Sequence, residues 1–130
     1  MSNLKEKPEN FKNAVSRLQE SVEEYALNRS PVIRDGAIQR FEFCVELAWK
    51  TTKAFLHEKG LNDLNSPKIV MHEAFIYEII QDENIWEQML QDRNITPNIC
   101  DDAILDSIFK KVCSSYLMAL KDLSSWLWDK

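Results

Sequence analysis

"SPVIRDGAIQRFEFCVELAWKTTKAFLHEKG", residues 30–60, reads as one long helix with both ends marked. Ser30 and Pro31 form a cap and first-turn pair, because the serine hydroxyl serves an orphan backbone N–H and proline lacks one. Gly60 stands where a left-handed residue closes a helix, and His57 and Lys59 suit the negative end of its dipole. Placed at about 100° per residue, Ala37, Ile38, Phe41, Cys44, Val45, Ala48, Trp49, Thr52, Phe55 and Leu56 form one broad apolar face. Phe43, Leu47 and Ala54 fall nearly opposite. A bundle core needs one face only, so the second asks for its own cover. A short helix around Trp86 is one candidate for that cover.

Outward from this helix the same periodicity continues. Phe11, Val15, Leu18, Val22 and Tyr25, widened by Ala14 and Ala26, give an amphipathic helix over about residues 9–27. "NRSP" ends it, since the residue before proline avoids the helical region. "NSPK" opens a third helix over about residues 67–81, whose apolar residues Ile69, Val70, Ala74, Phe75, Ile76, Tyr77, Ile79 and Ile80 cover most of its circumference. Such a helix is expected to be largely buried. A short helix over about residues 85–91 carries Trp86, Met89 and Leu90. The last helix spans about residues 97–128, with Ile104, Leu105, Ile108, Phe109, Val112, Tyr116, Ala119, Leu120, Leu123 and Leu127 inward. Asp101 and Asp102 complement its positive end. The expected fold is all-α: an up-and-down four-helix bundle with an additional short helix, forming a single domain over residues 1–130.

Composition agrees. The 130 residues are 45% hydrophobic and 28% charged, which is globular and enough for one core. Two glycines and four prolines leave little room for the hairpins of an all-β chain. Acidic residues outnumber basic ones by 21 to 16, for a net charge of −5, which disfavours broad nucleic-acid binding while allowing a local basic patch. "MSNLKEKPEN" has no apolar stretch of the kind a signal peptide needs, and no apolar run approaches the roughly 18 residues of a membrane span. Three cysteines without a C-x-x-C pair argue for reduced thiols and a cytoplasmic location.

Most candidate chemistry has a structural reading. His72-Glu73 begins like the zinc-protease H-E-x-x-H, but Ile76 replaces the second ligand and no metal site is expected. Cys44 and Cys113 sit in helical apolar patterns and behave as small hydrophobes. Cys100 lies in the opening turn of the last helix, where thiol pKa values fall, although Asp101 and Asp102 oppose this. Trp126 and Trp128 point to different sides of the final turn, one toward the bundle and the other toward solvent or a partner. "MLQDRNITPNICDD" (89–102) remains. Arg93, placed on a loop against the start of the last helix, suits phosphate through its guanidinium fork and nearby backbone N–H groups; its other reading is a helix-ending arginine followed by an Asn-assisted turn.

Two segments, "RDGAIQRFEFCVELAWKTTKAFL" (34–56) and the run from "SPKIVMHEAF" (66–75) to "MLQDRNITPNICDD", resemble the nucleotidyltransferase substrate-binding protein family of the HEPN superfamily. The resemblance covers nearly the whole chain. It implies a four- or five-helix bundle, a symmetric homodimer, and work beside a separate minimal nucleotidyltransferase. Such pairs often act as toxin–antitoxin systems, in which an RNase-like HEPN member is restrained by adenylylation; the older family name implies that the bundle presents substrate instead. The hallmark R-N-x-x-x-H-x-Y places Arg93 and Asn94 in register, with Asn98 at the histidine position and Cys100 at that of the modified tyrosine. An amide does not exchange protons as imidazole does. The expected function is therefore that of a non-catalytic subunit that binds the transferase, with Arg93, Asn94 and Asn98 binding a nucleotide or RNA phosphate. Phe43, Leu47 and Ala54 then suit a dimer or partner contact. The alternatives are an RNase toxin and a plain interaction bundle. No cofactor is implied.

Overall fold

The computed structural model describes residues 6–130; Met1–Lys5, part of the segment read as lacking a signal peptide, lie outside the described residues. Helix α1 (Glu6–Leu27) is followed by α2 (Pro31–Glu58), α3 (Pro67–Ile76), α4 (Glu83–Ile95) and a 3-10 turn (Thr96–Asn98). Then α5 (Asp102–Lys111), a π-helical segment (Val112–Tyr116) and α6 (Leu117–Trp128) run on without a break. The molecule is an all-helical bundle, as the pattern predicts. Helix α2 is its spine, packing against α1, α3, α4 and the α5–α6 rod.

The capping residues act as their types require. Ser30 Oγ accepts from the Val32 N–H at 3.1 Å, and Ser66 Oγ from that of Ile69 at 3.2 Å. Gly60 takes φ 97° just after α2, the conformation that glycine adopts without steric cost. The core face of α2 is buried along its length, from Ala37 to Leu56, against Phe11 and Leu18 of α1 and Leu120 and Leu123 of α6. Phe55 meets Trp126 edge-on at 5.0 Å, while Lys12 lies 4.4 Å from the Trp128 ring centroid, so both terminal tryptophans pack on the bundle.

Four expectations need correction. First, α3 stops at Ile76, because Glu78 takes φ 61° and turns the chain; Ile79 and Ile80 are buried from a turn rather than from a helix. Second, α3 is not largely buried. Val70, Met71 and Ala74 face inward, but Ile69, Phe75, Ile76 and Tyr77 are exposed. Third, the helix around Trp86 is longer than the pattern suggests, since Asp82 caps it and its hydrogen bonds continue to Ile95. Trp86 itself is in the core and does not cover Phe43, which remains 58% exposed. Fourth, the last helix begins at Asp102, not Pro97, where Asp101 accepts from the Ala103 and Ile104 N–H groups. Ile104 and Ala26, read as inward, are exposed.

Among the described residues no helix is long and apolar enough to cross a membrane.

Candidate functional site

The corrected α4 changes the site. Arg93 and Asn94 lie in the last turn of a helix, not on a loop. The helix N-terminus beside them is that of α3, not that of the last helix: Ser66, Pro67 and Lys68 share a cavity with Arg93 and Asn94. The cavity has a volume of about 320 Å³, and Trp49, Leu90, Glu46, Glu87 and Gln91 complete its wall. This is the size of a small-ligand pocket, apolar on one side with a few convergent polar groups.

Long-range contacts hold the polar side. Arg93 Nη2 donates to Glu46 Oε1 at 3.0 Å, and Thr96 donates to Glu42 one turn earlier on α2. Glu42 and Glu46 are thus the receiving pair for the end of α4, at a spacing of four residues that puts both on one helix face. Glu46 also meets Lys50 at 3.2 Å. Burial works against its ionisation, but the hydrogen bond from Lys50 and the charge of Arg93 outweigh it and hold the carboxyl below its ordinary range. Arg93 Nε is buried without a hydrogen-bond partner, so the guanidinium is not fully satisfied by Glu46.

On another face of α4, Asp92 accepts from the Tyr116 phenol at 2.6 Å and pairs with Lys111 at 3.1 Å. Burial first, and then Asp92, push the Tyr116 hydroxyl above its usual pKa. Tyr116 sits in the π-helical segment, where the extra residue per turn redirects side chains.

The remaining expected site residues separate from this cavity. Asn98 is exposed in the 3-10 turn and does not line it. Cys100 is exposed and precedes the Asp101 cap, so it is outside the helical turn assigned to it. Cys113 is exposed rather than core, while Cys44 is fully buried and burial pushes its thiol up to about 12. Phe43 and Leu47 lie together in a second groove, against Asn10, Asn13, Ala14 and Arg17 of α1 and beside Arg40. Ala54 is half-buried and is not part of that groove.

Residue-level reading missed Trp49, Lys68, Glu46 and Glu87. The one available signal was the Glu42–Glu46 spacing within the resembling segment.

Among the described residues no cluster has the groups to hold a metal. His72 bridges α3 and α4 instead, its Nδ1 lying 2.6 Å from Glu83 Oε2. That carboxylate raises the imidazole pKa above 6.5. The stabilisation is therefore full below about pH 6.5 and fades as pH rises through the higher folded-state value. Melting temperature measured against pH should show this: between about pH 6 and 8, the native chain loses more stability than His72→Gln. Parallel curves would rule out the bridge.

A model of nucleotidyltransferase substrate binding protein-like sequences matches residues 6–128. A solved Haemophilus influenzae protein, described as revealing the fold of a substrate binding domain of a nucleotidyltransferase, superposes with a TM-score of 0.83. It is 23% identical, over 92% of this chain and 98% of that one. A structure from Thermus thermophilus superposes with a TM-score of 0.79 at 30% identity, over 90% of this chain and 98% of the other. No curated protein sequence matches. A family match over nearly the full length, on a bundle whose Arg93 end is pinned by the two glutamates of the resembling segment, means that the chain belongs to the nucleotidyltransferase substrate binding protein-like family.

Proposed function

We propose that this chain is a non-catalytic helical subunit that forms a homodimer, binds a separate minimal nucleotidyltransferase, and offers the Arg93 cavity to a phosphate-bearing ligand. The observation that carries this reading is the composition of that cavity. It brings Arg93 and Asn94 together with Lys68 in a walled space, and no histidine lines it. Cations and amides bind phosphate through charge-assisted hydrogen bonds; RNA cleavage by proton exchange needs a titrating partner as well. The RNase alternative has no imidazole in this cavity to supply that partner.

A dimer that also binds a transferase needs two surfaces, and the described residues expose apolar side chains in the Phe43–Leu47 groove and on α3. An isologous contact through the Phe43–Leu47 groove would bring the Arg17–Arg40 pair of one copy into the same patch as that of the other, like charge against like. The groove therefore suits a different chain, one with acidic groups around an apolar segment. The exposed Ile69 and Ile76, seven residues apart on one side of α3, with Phe75 and the following Tyr77 beside them, are assigned to the second copy.

The test is titration of the purified protein with the nucleotidyltransferase encoded beside it, followed by calorimetry and size-exclusion chromatography. A complex with a dissociation constant in the micromolar range or tighter is expected, and Phe43→Asp should weaken it at least about thirtyfold, as removal of a central aromatic anchor does. Absence of a complex at tens of micromolar would overturn the pairing.

A further inference from the structure

A second cavity lies at the start of α4 and shares no lining residue with the one beside Arg93. It sits between the turn after α3, the first turn of α4, and the rod formed by the π-helical segment and α6, and has a volume of about 330 Å³. Ile79, Ile80, Trp86 and Leu123 are buried and give it apolar walls. Ser114 and Ser115 belong to the π-helical segment, whose wider turn is often found at functional sites. With Met118, Ala119 and Asp122 they repeat at steps of about four residues, so they form one stripe along the cavity.

The charged groups of this cavity are of one sign. Asp82 and Asp122 line it, and no lysine, arginine or histidine does. One Asp82 oxygen is taken by the Ile85 N–H at 3.1 Å, which leaves the other. The Asp122 carboxylate is exposed and has no hydrogen-bond or ion-pair partner among the described residues. Lys121, its neighbour in sequence, does not line the cavity, and Lys111 is paired with Asp92 at 3.1 Å. Ser115 donates to the Lys111 carbonyl at 3.2 Å, whereas the Ser114 hydroxyl has no such partner among the described residues. Of the apolar lining only Met118 is exposed, too little for a docked helix, which needs an apolar stripe about two turns long.

We propose that this cavity binds a small organic amine with an apolar body, its ammonium at Asp122 and Asp82 and its body against Trp86 and the isoleucines. The three donors of the ammonium meet the Asp122 carboxylate, the spare Asp82 oxygen and the Ser114 hydroxyl. A polyol is a poor fit, because its hydroxyls find no partners on walls of isoleucine, tryptophan and leucine. The volume lies at the small end of ligand pockets, so the body is a single ring or a short chain. The site is independent of the Arg93 cavity and of the transferase pairing.

Calorimetric titration of the full chain with 2-phenylethylamine, 2-phenylethanol and ethylamine separates charge from body. The amine with the ring is expected to bind at least about tenfold more tightly than either of the others. Asp122→Asn should bring it down to the affinity of the alcohol. Because Asp122 is exposed and unpartnered, that variant should melt as the native chain does. Asp82→Asn keeps a residue that caps α4 and should weaken the amine severalfold. In an NMR titration the amides of residues 79–86 and 114–122 should shift, and those around Arg93 should not. Equal affinities for amine and alcohol, an unchanged affinity in Asp122→Asn, or shifts confined to other regions would overturn the site. So would silence at millimolar amine, or cavity residues that respond only when the nucleotidyltransferase is added, which would make this surface a protein contact.

Discussion

Arg34→Met is expected to lower the stability of the fold by about 3 kcal/mol. The guanidinium opens the second turn of α2, and its side chain is only 5% exposed. It donates to Asp35 and Asp102 at 2.8 Å each and to Asp106 at 3.3 Å. The last two belong to the first turns of α5, so one cation joins the beginnings of two helices, Arg34 and Asp102 lying 68 residues apart in sequence. Hydrogen bonding to Asp102 is the main reason that its pKa is raised, with burial opposing it; the group stays charged at every working pH.

The size of the effect follows from what is left behind. Methionine fills most of the space but leaves three carboxylates converging on no cation. Breaking a buried pair costs roughly 3–5 kcal/mol. These carboxylates are half or more exposed, so water screens part of their repulsion and the lower end applies. For a domain of this size the melting temperature should drop by about 10 °C. Arg34→Lys should recover less than half, because one ammonium does not reproduce a planar fork spread over three acceptors. A melting temperature within about 2 °C of the native value would show that the convergence is incidental.

Arg34 also marks where the sequence stops being informative. Local features were legible: two Ser-Pro starts, the glycine that closes α2, and the apolar stripe that the core then buries. Each depends on residues within a turn or two of one another. Arg34 lay in the stretch that decided the fold, yet nothing near it announces Asp102 or Asp106 as partners. Nor does anything near Glu42 and Glu46 in sequence announce Thr96 and Arg93, which meet them from the end of α4 and the turn after it. The end of α3 was missed for a different reason. Ile79 and Ile80 continue an apolar run, and periodicity does not reveal that Glu78 turns the backbone through a left-handed conformation. Most of the errors around Arg93 follow from the boundaries of α4. Reading that helix as ending near residue 91 put the guanidinium on a loop facing the wrong helix start; Asn98 and Cys100 came from the motif register instead, and they fall in and after the 3-10 turn beyond α4. A few more residues of helix move the guanidinium beside Trp49 and Lys68.

Asp92→Ala should have a comparable effect, again about 3 kcal/mol, by a different route. Asp92 stands one residue before Arg93, about 100° round α4 from it, where it is buried against Tyr116. Its carboxylate receives the phenol of Tyr116, a fully buried residue whose ring stacks on Phe41 at a centroid distance of 5.5 Å. Alanine removes that acceptor and also releases Lys111. An unpaired buried hydroxyl alone costs about 1–3 kcal/mol, and the vacated volume adds to it. Tyr116→Phe removes the donor and leaves Asp92 with Lys111, so it should cost only about 1 kcal/mol. Because the residues share one hydrogen bond, the double variant should be more stable than the two single losses add up to, by at least about 1 kcal/mol in a denaturant-melt cycle. The alkaline limb gives an independent reading. A phenol held above its ordinary pKa contributes stability that is complete below about pH 10 and is lost as pH climbs through the folded-state value. Tyr116→Phe, although less stable at neutral pH, should therefore lose less on going above about pH 10 than the native chain does. Additive losses together with an unchanged alkaline slope would mean that the Tyr116–Asp92 bond does not hold α4 against the π-helical segment.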